Sequence, residues 1–257
     1  MRLHGDLDPA IAFDPVPPQT QELIDQLSTV TTDFAELLEE REQAYRMLEL
    51  AHRQTLLRLT IAAEFRDDDT GVHLVRMGKL SGLLARIIGW PQDKAKMLED
   101  AAPMHDVGKI GIPDAVLKKA GSLTPDEWSI MRQHPELGAK ILGSSGVPVL
   151  DMAAEIAYCH HEKYDGTGYP RGLVGDAIPL TARIVSLMDY FDALTMDRVY
   201  RKAFPDAEVL TMIAEQSGRH FDPDLTRIFL ERADDFIRMR DDINANASSA
   251  DSIHDRI

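Results

Sequence analysis

The sequence has little cysteine and no long apolar run. Cys159 is the only cysteine among 257 residues, which excludes an internal disulfide framework and is typical of a reducing compartment. We predict that this residue is simply small, apolar and buried. No run of about 18 apolar residues occurs, and no basic start precedes an apolar segment, so neither a membrane span nor a secretory signal is predicted. We therefore expect a soluble cytoplasmic protein that has no membrane partner.

Basic residues are also scarce. The chain has 28 Lys and Arg residues against 43 Asp and Glu residues, which leaves a formal net charge of −15. Nucleic-acid polymers and anionic membranes are bound through clustered Lys and Arg, so this balance argues against both kinds of partner. An anionic substrate would need a locally positive pocket. Bound divalent cations would provide it most simply, because they are often the largest charges in a site.

Alternating β-branched runs, which are typical of strands, are few. Over residues 56–240 apolar residues recur mostly at helical spacing, which predicts an all-α fold, a helical bundle. Helix start signals agree with this. Thr124 to Glu127 reads as a capping box with Pro125 at the first helical position, and Asp222 precedes Pro223 in a second capped start.

The two flanks of this predicted domain differ in character. Residues 1–18 contain four prolines and predict an irregular tail, whereas residues 241–257 predict a disordered tail. Residues 19–55 predict a linker or dimerisation helix, because a heptad-like seam runs through it. The seam consists of Leu23, Leu27, Val30, Phe34, Leu37, Arg41, Ala44, Leu48 and Ala51. It would either pack on its own domain or join two helices in a parallel homodimer.

Histidines recur in short polar contexts within the helical sequence. These are His73, His105, His134, His160, His161 and His220. A single histidine on a helix is more often structural than a ligand, but here several lie beside each other or beside carboxylates. Asp189 and Asp192 share a helix face at this spacing. Imidazole with carboxylate favours Mn, Fe, Ni or Zn over calcium, which prefers oxygen ligands throughout.

Asp106 follows His105 directly and therefore points away from it, since neighbours on a helix diverge by about 100°. Such a pair can serve two metals. A carboxylate between two cations about 3.5–4 Å apart can bridge them, and such a site activates water and holds a phosphoryl group. Lys109, three residues later, can place a compact positive charge on a phosphate oxygen. These residues predict a phosphoesterase with a two-metal site.

Other catalytic patterns are absent from the sequence. It has no His-Glu-x-x-His, Walker loop, Gly-x-Ser-x-Gly or Cys-x-x-Cys motif. Catalysis by a nucleophilic Ser or Cys therefore has no support.

Four runs of sequence resemble the HD-GYP family. They are MHDVGKIGIPD over 104–114, HHEKYDGTGYP over 160–170, DTGVH over 69–73 and DYFDALT over 189–195. The resemblance extends over roughly residues 56–240. It implies a helical, metal-dependent phosphodiesterase that opens the bacterial second messenger cyclic di-GMP to pGpG, and in some members onward to GMP.

The resemblance also implies roles for individual residues. The implied metal ligands are His73, His105, Asp106, Asp189, His134, His160 and His161, with Asp69 as a further candidate. Asp106 would bridge two ions, and Lys109 would contact the phosphate. Tyr169, Arg198 and Arg201 match family positions around the substrate. Asp165, Gly168 and Asp192 are expected to shape the site, and His220 is expected to be structural.

One departure concerns the number of metals. Members with a third metal have a glutamate where this sequence has Asp69, whose side chain is one methylene shorter. We therefore expect two divalent ions, Fe or Mn, with Ni or Zn as alternatives and a third ion as the alternative count. The expected reaction is in-line attack on the phosphorus by a hydroxide that bridges the metals, with Lys109 stabilising the added charge.

Two other functions are compatible with the sequence. One is a catalytically weak nucleotide-binding sensor that acts through protein contacts, and the other is hydrolysis of another cyclic dinucleotide. The expected partners are cyclic di-GMP, a second copy of the chain through the N-terminal helix, and signalling proteins. No nucleic-acid polymer is expected.

Overall fold

The computed structural model describes residues 16–64, 71–143, 146–197 and 202–248. Eleven α-helices occur in this part of the chain. They are α1 (Pro18–Glu64), α2 (Gly71–Ile87), α3 (Gln92–Ala101), α4 (Asp114–Leu117), α5 (Pro125–Met131), α6 (His134–Leu142), α7 (Pro148–Cys159), α8 (Leu180–Thr195), α9 (Asp206–Glu215), α10 (Pro223–Glu231) and α11 (Ala233–Ser248). Short 3-10 helices cover Ala102–Met104, Val107–Gly111 and Gly175–Ala177. Only isolated β-bridges accompany these helices in the described residues, so the all-α prediction is confirmed.

The chain divides into two units, one ending at Leu50 and the other beginning at Ala51. In its described residues the first unit is almost entirely helix α1. The predicted long N-terminal helix is therefore present, and it continues past residue 55 to Glu64 because neither Gly nor Pro interrupts the sequence. The apolar seam side chains in this unit are exposed, from 60% for Phe34 and Leu37 to 68% for Leu23 and Leu27.

The second unit is a helical bundle around one main core. Helices α2, α3, α7 and α8 pack against one another, and α11 packs on α2. Their inner faces supply fully buried side chains, including Leu80, Leu98, Ile156 and Phe191. No helix in the described residues has both the length and the apolar character needed to span a bilayer.

Both predicted capped starts are present. Thr124 Oγ1 accepts a hydrogen bond from the Glu127 backbone N–H, and Glu127 Oε2 accepts one from the Thr124 N–H. Asp222 Oδ1 accepts hydrogen bonds from the N–H groups of Asp224 and Leu225.

The predicted disorder over 241–257 is wrong for the residues up to Ser248, which continue helix α11. Asn244 Oδ1 accepts a hydrogen bond from Arg76 Nη1 on α2 at 3.0 Å. This tertiary contact stabilises the helix in a segment whose polar composition predicts disorder. Residues 249–257 and most of the predicted irregular tail, residues 1–15, lie outside the described part of the chain.

Gly108 allows helix α6 to approach the short 3-10 helix after Asp106. A Cβ at this position would lie 1.9 Å from the His134 carbonyl oxygen and 2.4 Å from the Gly138 nitrogen. Backbone atoms cannot move away as a flexible side chain can. The glycine is therefore required by packing between the two segments.

We expect Gly108→Ala to lower the free energy of unfolding by about 2 kcal/mol or more, because it overpacks a site bounded by backbone. Gly111→Ala is the matched control, since its Cβ would meet only the flexible Leu137 side chain, 2.9 Å from Cδ1. Denaturant unfolding of both variants measures the difference. Equal losses of stability would show that the close approach at Gly108 is not the constraint.

Candidate metal centre

Four side chains from three segments converge to form a first donor group. Asp106 lies between two short 3-10 helices, His134 begins α6, and His160 and His161 follow α7. One potential ligand atom from each lies within 4.8 Å of the others, which is a spacing that could hold a metal ion. Asp106 Oδ1 is 3.2 Å from His134 Nε2 and 3.4 Å from His160 Nε2.

The orientation of two of these imidazoles is set by backbone carbonyls. His134 Nδ1 lies 2.8 Å from the Met131 carbonyl oxygen, and His160 Nδ1 lies 3.0 Å from that of Ala157. A neutral ring that donates from Nδ1 has a lone pair on Nε2, and this arrangement is common in metal-binding histidines.

The two Nε2 atoms lie only 3.4 Å apart, so two lone pairs face each other beside a carboxylate oxygen. Neither neutral ring can supply the proton that would satisfy the other. A cation would satisfy both lone pairs and Asp106 Oδ1 together, so the residues fit a metal ion. Burial lowers the pKa of His160 and, with the neighbouring imidazoles, holds that of His161 well below its usual range. Both rings are therefore neutral, as metal ligands must be.

His73, His105 and Asp189 form a second donor group, again with atoms within 4.8 Å of one another. His105 Nδ1 lies 3.0 Å from the Ala102 carbonyl oxygen. His105 Nε2 lies 3.3 Å from Asp106 Oδ2 and 3.9 Å from Asp189 Oδ1. Asp106 therefore presents one oxygen to each donor group.

Positive charge keeps Asp106 ionised although the residue is buried. Burial acts to raise the pKa of this carboxyl group, but Lys109 and His105 hold it well below its usual range. Lys109 Nζ lies 2.8 Å from Asp106 Oδ2. The carboxylate is thus anionic and placed between the two groups, which is the arrangement that a bridging ligand needs.

Asp192 contacts His73 of the second donor group but is not itself a member of that group. Its Oδ2 lies 2.7 Å from His73 Nδ1, and both of its oxygens accept hydrogen bonds from the Arg76 guanidinium. Burial acts to raise the pKa of Asp192, but His73 and Arg76 outweigh it and lower the pKa. The residue therefore orients His73, as expected for a residue that shapes the site. Arg76 was not predicted as a site residue, because its partner Asp192 lies on helix α8, far away in the sequence.

The loop that carries Tyr169 is attached to the first donor group. The Tyr169 ring stacks on His161 with 4.8 Å between ring centroids. Glu162 is buried and was not predicted as a site residue. It accepts hydrogen bonds from the N–H groups of Arg171 at 2.7 Å and Leu173 at 2.9 Å. Gly168 allows the loop to close, since a Cβ there would lie 2.2 Å from the Lys163 nitrogen.

The remaining predicted residues fall in different places. Asp165 Oδ1 accepts hydrogen bonds from the backbone and side chain of Thr167, in keeping with a structural role in the loop. His220 belongs to neither donor group, stacks on Phe221, and has a pKa lowered by burial to about 4. Asp69, Arg198 and Arg201 lie outside the described residues.

We expect Asp192→Asn to weaken metal binding by roughly 10–100-fold, because His73 would lose its charged acceptor. It should also cost about 3–5 kcal/mol of stability, since Arg76 would be left as a buried charge without its partner. The pKa of Asp192 is lowered in the fold, so its contribution is present above the ordinary carboxyl pKa of about 4 and is lost on further acidification. The deficit of the variant should therefore narrow at low pH.

Metal titration and denaturant unfolding measure these effects. The control is Asp176→Asn, because Asp176 also pairs with an arginine, Arg183, but its own side chain is 85% exposed. If Asp192→Asn behaves like this control, Asp192 does not support the metal centre.

Comparison with known proteins agrees with this geometry. The HD domain family model matches residues 28–225. The cyclic di-GMP phosphodiesterase response regulator RpfG of Xanthomonas campestris pv. campestris (strain 8004) is 47% identical over 176 residues, covering 68% of this chain and 47% of its own. The 3'3'-cGAMP-specific phosphodiesterase 2 of Vibrio cholerae serotype O1 is 42% identical over 188 residues, covering 73% of this chain and 36% of its own.

A solved structure shares the fold. A cyclic GMP-AMP-specific phosphodiesterase of V. cholerae, V-cGAP3, aligns with a TM-score of 0.54 and 19% identity over 74% of this chain and 52% of its own. The chain spans less than half the length of the two curated relatives. The family model covers most of the chain, and the HD and GYP motifs lie within the matched region. The chain therefore belongs to the HD domain family, as an HD-GYP member.

Proposed function

We propose that the chain is a phosphodiesterase that uses divalent metals to hydrolyse cyclic di-GMP to pGpG, with GMP as a further product. The observation that carries this proposal is Asp106, whose two oxygens face two separate His/Asp donor groups next to Lys109. This combination of two cation sites and a lysine suits the attack of water on a phosphate diester.

The two donor groups would hold one ion each, and Asp106 would contribute to both. Imidazole and carboxylate donors suit Fe or Mn, with Ni or Zn as alternatives. Bound ions would supply an activated water and neutralise charge on the phosphate. A third ion would need Asp69, whose position is not described, so two ions are our proposal.

The protein groups have separate tasks in this reaction. The ammonium of Lys109, whose side chain is 20% exposed, can face both Asp106 and a phosphate oxygen. Burial raises the pKa of Tyr169, so its hydroxyl keeps its proton at neutral pH and can donate a hydrogen bond to the substrate. The backbone and carboxylate contacts described above hold the imidazoles in place, which limits reorganisation during the reaction.

A second cyclic dinucleotide deserves testing as substrate, because a relative that is 42% identical is named as specific for 3'3'-cGAMP. RpfG, at 47% identity, is named for cyclic di-GMP, and we therefore rank that substrate first. Product chromatography with each nucleotide, in the presence of Mn or Fe under reducing conditions, decides between them. Binding of nucleotide without turnover under all these conditions would favour a sensor instead.

We expect Asp106→Asn to reduce hydrolysis by more than the roughly 10–100-fold typical of residues that only support a ligand, because it removes a charge shared by both donor groups. Metal content should fall from about two ions per chain to one or fewer. Elemental analysis and steady-state kinetics measure both, and helical circular dichroism should be retained. Asp93→Asn, an exposed carboxylate on α3, is the control. A variant at position 106 with full activity and full metal content would refute the two-metal site.

We further propose that the chain forms a parallel homodimer through helix α1. The observations in support are the heptad spacing of the seam and the exposure of its apolar side chains, each at 60% or more for the Leu, Val and Phe members. Exposed apolar residues at this spacing are typical of a coiled coil that lacks its partner.

The double variant Leu27→Glu/Phe34→Glu should shift the protein from dimer to monomer, because like charges would meet in the seam. Light scattering measures the mass. Ala35→Glu is the control, since it adds a charge to the same helix next to the seam but not within it. A monomeric native protein, or a dimer that survives the double change, would rule out this interface.

We also expect the enzyme to act in the cytoplasm, together with signalling partners. The single cysteine, Cys159, cannot form an internal disulfide, which is typical of proteins in a reducing compartment. Burial raises the pKa of its thiol to about 11, so the thiol stays protonated and unreactive.

A further inference from the structure

A row of four side chains leads outward from the first donor group. His161 stacks on Tyr169, and the guanidinium of Arg132 lies over the Tyr169 ring at 5.3 Å and over the Trp128 ring at 5.9 Å. Trp128 and Arg132 are exposed, with 46% of Trp128 accessible. We call these two residues the Trp128–Arg132 rim. Arg132 lies only two positions before His134 in the chain.

Arg132 is unusual in its electrostatic environment. The protein carries a net charge of −15, yet within the described ranges no carboxylate lies at ion-pair distance from this guanidinium. In the described part of the chain the Arg132 guanidinium instead contacts two aromatic rings, and such contacts use none of its N–H donors. A fork of donors therefore stays available beside the metal centre, next to an exposed indole.

We propose that the Trp128–Arg132 rim is a purine subsite for the cyclic dinucleotide, and this inference rests on the proposed function. Trp128 stacks on the base, and Arg132 donates two hydrogen bonds to O6 and N7 of a guanine. Base stacking on an aromatic side chain contributes roughly 1–3 kcal/mol and tolerates any base. The bidentate contact with O6 and N7 is the one that distinguishes guanine, because adenine offers N7 but has a donor at position 6.

Two other roles for Arg132 predict different effects when its side chain is removed. If it bound a phosphate, its loss would weaken every cyclic dinucleotide equally. If it only supported Tyr169 through the cation–π contact, its loss would also affect all substrates alike. A guanine contact alone makes the loss depend on the base. The comparison of cyclic di-GMP with cyclic di-AMP is therefore decisive, because these ligands share their phosphates and ring and differ in both bases.

The experiment is steady-state kinetics of the full-length, metal-loaded protein on cyclic di-GMP, cyclic di-AMP and bis(p-nitrophenyl) phosphate, which has no base. Arg132→Ala should raise KM for cyclic di-GMP by roughly 10–100-fold with little change in kcat, since the contact is present in both ground and transition states. Activity on the small diester should change by less than about twofold. Arg132→Gln should shift the kcat/KM ratio towards cyclic di-AMP, because Gln pairs with N6 and N7 of adenine.

Two further variants separate charge and stacking from base recognition. Arg132→Lys keeps a positive charge but lacks the planar fork, so it should lose the preference for guanine. Trp128→Leu should raise KM for both cyclic dinucleotides to a similar degree. Arg227→Ala, which removes an exposed arginine from α10, is the control and should change none of these values.

The inference is overturned if Arg132→Ala leaves KM for cyclic di-GMP unchanged, if it weakens cyclic di-GMP and cyclic di-AMP equally, or if the native enzyme has no preference between them. Failure of the proposed function looks different. In that case the native enzyme does not hydrolyse either cyclic dinucleotide. It hydrolyses only the small diester, or none of the three compounds.

Discussion

The ionised carboxylate of Asp106 is buried, and the surrounding structure has to compensate it. A charge taken out of water is costly unless cations and hydrogen-bond donors surround it. Here Lys109 lies 2.8 Å from one oxygen, and the Nε2 atoms of His105, His134 and His160 lie within 3.4 Å of its two oxygens, where a bound cation would join them to the carboxylate. The local fold follows from this requirement. The helix before His105 changes to tight 3-10 turns around the His-Asp pair, and Gly108 lets α6 bring His134 within reach.

Further hydrogen bonds hold the donor side chains in place and connect the site to the rest of the helical bundle. His105, His134 and His160 each place Nδ1 against a backbone carbonyl three residues earlier, so the helix ends themselves orient the rings. His73 depends instead on Asp192, and Asp192 depends on Arg76. Arg76 in turn donates to Asn244 of α11. The second donor group is thus joined to the last helix by a chain of buried polar contacts, and such networks are stable only when every member is satisfied.

The periodicity of the sequence predicts the all-α fold, the long first helix and the two capped starts, because these depend on residues that are close in sequence. The resemblance to HD-GYP proteins selects the seven donor residues that the structure gathers into two groups. Arg76, Glu162 and Arg132 were not found in this way. Their roles come from contacts with residues far away in sequence, or from a stacking geometry that no local pattern encodes. Arg76 and Asp192, for example, are separated by 116 positions in the sequence. The end of α11 was mispredicted for the same reason, since composition suggested disorder and a tertiary contact from Arg76 opposes it.

The negative net charge and an anionic substrate can be reconciled at this site. Without metals, the donor groups hold two carboxylates, Asp106 and Asp189, against the single lysine Lys109, and burial favours the neutral form of His160 and His161. A cyclic dinucleotide with two phosphates would be repelled. Two divalent cations bound by these donor groups would make the site locally positive, and substrate affinity and metal occupancy would then be coupled through electrostatics. Anionic polymers need an extended basic surface, so positive charge confined to the metal centre would attract them little. The negative net charge therefore favours a small ligand that fits the metal centre.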